Sequence, residues 1–436
     1  MAWDVVIAGG GFGGLYAARK LERVLPRHSA RLTLVSDQNY MLYTPLLPGA
    51  SAGTLEPRHV VVPLREELDW MDVRLGRVTG ADPAVNELSY TSVDGRESTL
   101  RYDQLIVALG SVSRVLPVPG LAEHARGFKT ISDAIALRNH AVNCLEIAES
   151  LDHPDERRDY LTFVFVGAGY AGVEGIAELQ DFVIDLIDRY PKARLDGTRF
   201  VLVEAEGRIM QEIPAELADF AQNELRARGI EVRTGTRLDR IDADAASLST
   251  GERLPARTVV WTTGVKPVPV VRELGLPLTA HGRVEVDATM RVAGHENVWA
   301  IGDCAAVPDP AAKGARPCPP TAQHALRQGK LVAENVAAAL GGGTRKKFKY
   351  KSLGVFVDMG RHQAVATMLF LKLRGFPAWF AARTYHMLAM PGNGRRIRLV
   401  TDWTVGLFFG RSATELGQLG HPVSLGEHLE QEEPAP

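Results

Sequence analysis

The sequence predicts an α/β protein built from two doubly wound units of one kind, the second inserted into the first, with a separate C-terminal α/β segment. Three observations predict it. A short apolar strand, a glycine-rich turn and a helix with small residues on its first face follow one another twice, at Val5 to Leu25 and at Phe163 to Leu179. Further strands running into glycine turns lie on either side of the second unit, as an insertion requires. The composition then shifts after Gly341-Gly342-Gly343: from Thr344 to Arg411 there are 13 Lys plus Arg against two Asp. The whole chain of 436 residues is 45% hydrophobic and 23% charged with a net charge of −2, which excludes disorder and allows two or three domains.

In chain order, Val5-Val6-Ile7-Ala8 leads into Gly9-Gly10-Gly11-Phe12-Gly13-Gly14, a GxGxxG turn at Gly9, Gly11 and Gly14. The first glycine turns the chain, the second lets backbone approach a pyrophosphate, and the third lets helix pack close to strand. The next strand, Arg31 to Val35, ends at Ser36-Asp37, and Asp37 lies 23 residues beyond Gly14, near the spacing of an acid that accepts from a ribose hydroxyl. Tyr102 to Leu109 is a strand running into Gly110. The second unit repeats the plan: Phe163 to Val166, the turn at Gly167, Gly169 and Gly172, a strand from Phe200 ending at Glu204, and a strand from Thr258 into Gly264. Asn297 to Ile301 then ends in Gly302-Asp303. One GxGxxG is weak evidence, because any tight glycine turn looks the same; two in full strand-turn-helix context point to two Rossmann-like dinucleotide sites.

This arrangement resembles the two-dinucleotide-binding-domain flavoproteins, whose first site takes FAD and whose second takes NAD(P)H. Asn39-Tyr40-Met41-Leu42-Tyr43-Thr44-Pro45-Leu46-Leu47-Pro48, the stretch Thr321-Ala322-Gln323-His324-Ala325-Leu326-Arg327-Gln328, and Lys349 to Ala366 resemble segments of type II NADH dehydrogenases within that family. The resemblance covers about residues 4 to 420. It implies non-covalent FAD at Gly9, Gly11, Phe12, Gly14, Asp37, Pro45, Gly110, Gly302, Asp303 and Ala322, and NADH at Gly167, Gly169, Gly172, Glu204 and Gly264. The implied domains are an FAD domain at 1–120 and 281–343, an NADH domain at 121–280, and a membrane-surface segment at 344–436. The implied activity is hydride transfer from NADH to FAD, then two electrons to a membrane quinone, without proton pumping. Members are often dimers and sit on the cytoplasmic face of the cell membrane.

Two departures stand out. The family's usual acid at the first ribose falls on Ser36, so that Asp37 takes the role or the ribose is held differently; and the second Gln of the quinone motif sits one place late, at Gln328. Thr321 reads as a helix N-cap, with Gln323 in the first turn able to bond a quinone carbonyl. Glu174 holds the place where related reductases put a carboxylate near nicotinamide and flavin, although a first-turn glutamate is also favoured by the helix dipole alone. Glu178, one turn on, is assigned to packing or solvent.

The rival functions are a soluble NAD(P)H flavin reductase or oxidase and a sulfide:quinone-type enzyme. Cysteine chemistry has little to work with: Cys144, Cys304 and Cys318 form no CxxC pair, and Cys304 reads as a core residue. The twelve histidines show no HxxxH or HExxH spacing, so no metal is expected. No apolar run reaches the roughly 18 residues of a membrane span, and the N-terminus enters a strand with no basic region ahead of it, which points to a cytosolic-side protein. The basic segment interleaves its charges with Phe370, Phe376, Trp379, Phe380, Met387 and Leu388, a pattern that suits an anionic lipid surface better than nucleic acid. A helix is expected over Ala378 to Met390, ended by Pro391-Gly392-Asn393-Gly394, with Trp379, Phe380, Met387 and Met390 on the lipid side and Arg383 snorkelling among them. Glu427 to Pro436 reads as a solvated acidic tail.

Overall fold

The computed structural model describes residues 2–311, 316–352, 354–368 and 371–415; the acidic tail lies outside them. The first unit is a sheet of seven strands whose first five run parallel, in the order Val298–Ala300, Gln104–Val107, Trp3–Ala8, Ala30–Ser36 and Asp72–Asp82. Two antiparallel strands, Glu87–Ser92 and Glu97–Arg101, complete it. The strand order reverses at Trp3–Ala8, so its C-terminal end opens onto the crevice where doubly wound sheets bind ligands. Strands buried on both faces must be apolar throughout, and Val5, Val6, Ile7 and Ala8 are all buried. The helix Phe12–Val24 covers one face and packs on Ala322–Gly341. Their axes come close because a Cβ on Gly329 would overlap the Gly13 carbonyl oxygen.

The second unit is a parallel sheet ordered Arg126–Gly127, Thr258–Trp261, Thr162–Val166, Arg199–Val203 and Ile230–Arg233. Ile131–Ser150 and Tyr170–Ile187 pack on it, the former opened by a capping box in which Thr130 and Asp133 bond each other's backbone N–H. The two crossings between units lie side by side, Ser111–Ser113 pairing with Val265–Pro267.

The C-terminal segment is a three-stranded antiparallel sheet, Gly354–Asp358, Ala364–Met368 and Leu371–Arg374, followed by the helices Gly375–Ala389 and Asn393–Phe408. The second helix was not expected, because Gly392 and Gly394 read as a terminator. Gly392 does turn the chain, at a φ of 82°, but beyond it the helix restarts with Leu399 and Trp403 facing the protein. Among the described residues no helix is long and apolar enough to cross a membrane.

Candidate functional site

Both glycine turns leave the ends of central parallel strands and have the geometry their spacing demands. Gly9 and Gly167 adopt φ of 108° and 103°, which a side chain disfavours. A Cβ on Gly14 would overlap the Gly9 carbonyl, and one on Gly172 the Gly167 carbonyl, so helix meets strand without room for a methyl group. Gly11 and Gly169 are the opposite case. A Cβ there would meet nothing within 4 Å, leaving open space at a helix N-terminus where pyrophosphate oxygens meet free N–H groups. Each cradle therefore fits a dinucleotide.

Strand register identifies the ribose positions. Gly9 N–H donates to Val35 O and Gly167 N–H to Val203 O, both at 2.8 Å, so Ser36 is the counterpart of Glu204. The Glu204 carboxylate accepts from Ala168 N–H at 2.7 Å and Glu206 N–H at 2.9 Å, which ties the acid to the rim of the second cradle. Ser36 is buried against Gly10 with only a 3.4 Å bond from Gln38 N–H. Asp37 lies one residue further on, exposed, and accepts no hydrogen bond among the described residues. The position aligned with Glu204 thus carries a neutral hydroxyl, with the Asp37 carboxylate next to it.

The remaining first-unit residues gather around the same crevice. Phe12 packs its ring 5.6 Å from Tyr43, and Pro45 opens the turn that follows. Gly110 turns the chain at a φ of 72° beside Ser111, whose hydroxyl donates to Asp303 at 2.6 Å; Lys129 lies 3.8 Å from that carboxylate. Gly302 N–H donates to the buried Gln328 side chain at 2.8 Å, which gives the displaced second Gln a job: holding the Gly302-Asp303 turn. Thr321 caps the helix that begins at Ala322, accepting from His324 N–H. Gln323 does not present an idle carboxamide. Its oxygen accepts from the Tyr350 hydroxyl at 2.6 Å and its nitrogen donates to Gly354 O at 3.3 Å. Gly264, at a φ of 68°, closes the strand beside the second cradle.

A narrow pocket is lined by Pro45, Pro48, Thr54, Glu174, Glu178, Phe356, Asp358, Arg383, His386 and Trp403. Glu174 is half-buried in its wall and accepts from Asp358 N–H at 3.0 Å. Burial raises its carboxyl well above the usual range, and the nearby Asp358 and Glu178 carboxylates add to the effect against that hydrogen bond. Asp358 is pushed up to about 7 by burial and by Glu178, with Arg383 opposing. Burial drives the His386 imidazole down to about 4, so it is neutral at pH 7; its Nδ1 lies 3.2 Å from the Tyr43 hydroxyl. The pocket therefore holds carboxyl groups able to exchange protons near neutral pH, walled by apolar side chains.

Three readings of individual side chains change. Glu178 is neither solvated nor mere packing: it is 4% exposed, lines the pocket and accepts from Thr54 Oγ1 at 3.0 Å. Its position four residues after Glu174 on one helix put both on one face, the signal that was available. Arg383 does not snorkel outward. Its guanidinium lies 4.2 Å from the Trp379 ring and 5.0 Å from Trp403, inside the pocket wall. Trp379 and Met390 are buried with it, and the outward stripe is Phe376, Phe380 and Leu388, each more than half exposed. A helical wheel carrying apolar residues on two sides does not say which side meets protein.

The charge excess of the segment is also largely internal. Of its 13 bases, seven pair with acids: Arg345 with Glu296, Lys346 with Glu334, Arg361 with Asp181, Lys372 and Arg374 with Glu216, Arg395 with Glu66 and Glu67, and Arg411 with Glu178 and Asp185. The cysteines are buried and reduced; Cys304 donates to Ile301 O at 3.3 Å and burial pushes its thiol up to about 11.

Comparison with known proteins agrees with this geometry. Residues 3–329 match the pyridine nucleotide-disulphide oxidoreductase family. The chain is 31% identical to the type II NADH:quinone oxidoreductase of Mycobacterium tuberculosis over 95% of its own length and 89% of that protein. It is 29% identical to a probable NADH dehydrogenase of Dictyostelium discoideum over 93% of its length and 90% of that protein. The fold is similar to that of NDH2 from Plasmodium falciparum, solved in complex with NADH, with a TM-score of 0.87 at 19% identity over 95% of this chain and 100% of that one.

Proposed function

Since the chain belongs to the pyridine nucleotide-disulphide oxidoreductase family and, within it, to the type II NADH:quinone oxidoreductases, we infer that it is an FAD-dependent enzyme oxidising NADH and reducing a quinone. The observation that carries this reading is the pair of glycine cradles, each at the end of a parallel strand with open space beside a helix N-terminus. FAD, when bound, supplies the two-electron acceptor and donor that no side chain can.

The protein's own part is positioning and proton management. Gly9, Gly11 and Gly14, with Phe12, Asp37, Pro45, Gly110, Gly302, Asp303 and Ala322, hold FAD, its adenosine ribose lying at the exposed Asp37 beside the buried Ser36. Gly167, Gly169, Gly172 and Gly264 hold NADH, and Glu204 accepts from the ribose 2′-hydroxyl, an interaction a 2′-phosphate would turn into repulsion. Such fixed geometry supplies most of the rate advantage in hydride transfer. Glu174, oriented by Asp358 N–H and with its carboxyl raised above the usual range by burial, is the acid–base group beside the reacting groups. Gln323 acts on the quinone side, through the carboxamide it now shares with Tyr350. The buried, high-pKa Cys304 provides no thiolate, which argues against sulfide chemistry.

The acceptor is a membrane quinone reached from the surface of an anionic bilayer, at the cytoplasmic face. The outward stripe of the two last helices supports this, with Phe380 at 60%, Ile397 at 66% and Phe408 at 77% exposure. Apolar contact outweighs charge here. Only Lys347, Lys349, Lys351, Arg396 and Arg398 lack acidic partners among the described residues apart from the inward Arg383, and each contributes about 1 kcal/mol near anionic lipid. A homodimer through the same stripe is the competing use of that surface. The deciding measurement is steady-state NADH oxidation by the purified protein with a soluble quinone, beside an oxygen-only control. Turnover that is no faster with quinone would favour a soluble flavin reductase.

A further inference from the structure

The pocket contains three carboxyl groups, Glu174, Glu178 and Asp358; Arg228 of the second unit acts on the latter two from its pair with Asp181, and two further cations come from the C-terminal segment. One is Arg383 in the pocket wall. The other is Arg411, three residues past the end of the last helix. Its guanidinium lies 3.0 Å from Thr54 Oγ1, 3.4 Å from Glu178 Oε2 and 3.0 Å from Asp185 Oδ2. The chain around it is clamped, since Arg138 donates to Ser412 O and Thr414 O, both at 2.8 Å, and Ala413 packs on the second unit's core. Thr54 Oγ1 and Arg411 both engage the same oxygen of Glu178. The other, Oε1, accepts no hydrogen bond among the described residues, and Glu178 lines the pocket.

We propose that Arg411 is a positioning residue for the quinone-side reaction: with Thr54 it fixes Glu178 by one oxygen and turns the other toward the pocket. The C-terminal segment is then more than a docking surface, because it completes the electrostatics of the site. A buried carboxylate without its cation must either lose its charge or rearrange. Either change alters what a quinone carbonyl meets in the pocket. The chain from Phe408 and Phe409, exposed at the end of the docking stripe, to Arg411 is short enough to tie that stripe to the pocket.

The proposal rests on the quinone reading above for what the pocket does, and the test separates the two. Full-length Arg411→Met, Arg411→Lys and Glu178→Gln are compared with the unaltered protein. With a soluble short-chain quinone, Arg411→Met is expected to lower kcat/KM for quinone by about tenfold, mainly through KM. Single-turnover reduction by NADH should change by less than about twofold, and Arg411→Lys should recover most of the loss. In thermal melts, the loss in Tm caused by Arg411→Met should at least halve in the Glu178→Gln background, as expected of coupled groups. Unchanged quinone kinetics, or a fall in both half-reactions that lysine does not rescue, overturns the proposal. An unaltered protein that ignores quinone indicts the function instead; the melts then judge the pairing, and an undiminished Tm loss in the Glu178→Gln background overturns it.

Discussion

Glu204→Arg would remove a carboxylate that has two tasks, and the structure separates them. Its oxygens accept from Ala168 N–H at 2.7 Å and Glu206 N–H at 2.9 Å, so it first holds the rim of the second cradle. Losing two hydrogen bonds to a charged acceptor costs about 1 to 3 kcal/mol in all when water can reach the orphaned groups, as it can at this half-buried rim. That cost falls on NADH and NADPH alike and raises KM for both. The second task, accepting from the ribose 2′-hydroxyl, does not cancel: arginine removes that bond for NADH and converts repulsion into attraction for a 2′-phosphate. A differential of about 1 to 3 kcal/mol shifts the NADPH to NADH ratio of kcat/KM by roughly 5- to 150-fold. Glu204→Gln, which keeps one acceptor oxygen, should shift the ratio less and weaken binding less. Initial rates with both nucleotides at saturating acceptor decide the matter. A ratio within about twofold of the unaltered protein's would mean that Glu204 serves the rim alone and does not face the ribose.

Gly11→Val should yield a colourless protein that does not take up FAD on reconstitution, because its side chain fills the open space in the first cradle; a yellow variant would refute the assignment. Glu174→Ala should slow single-turnover flavin reduction without changing FAD affinity, whereas Gln323→Ala should slow quinone-dependent reoxidation; if both slow the same half-reaction, the division of labour is wrong. Asp358 is raised from its ordinary value to about 7, so the native state keeps a proton that the unfolded chain has lost, and stability should fall as pH rises from about 4 to about 7. Asp358→Asn should flatten that slope and melt higher than the unaltered protein at pH 8, by at most a few kcal/mol in stability; parallel melting curves at every pH would refute it. Full-length protein should cosediment with vesicles containing anionic lipid and be only partly released by salt, while a chain ending at Ala366 stays in the supernatant; equal partitioning would remove the membrane role.

Both nucleotide cradles were legible in the linear sequence because each is local: strand, turn and helix N-terminus lie within about a dozen consecutive residues, and backbone sterics dictate where glycine is required. Counting along the strand also found Glu204, but not which residue of the first unit aligns with it. That alignment to Ser36 depends on register, which shows in the carbonyls of Val35 and Val203 accepting from Gly9 and Gly167. The basic, apolar-rich character of the C-terminal segment was likewise plain, yet its meaning was not. Whether Lys372 or Arg395 faces lipid or an internal acid, and whether Trp379 or Phe376 points outward, is decided by the surface the segment packs against. The pocket is the extreme case. Glu178, Asp358, Arg383 and Arg411 are brought together from one helix of the second unit, a hairpin strand, a late helix and the chain beyond it. The protonation of Asp358 depends on desolvation and on neighbours distant in sequence. No local pattern encodes these collective properties, so the sequence determined where the two glycine cradles form, and only the tertiary structure decided which charged side chains share the pocket.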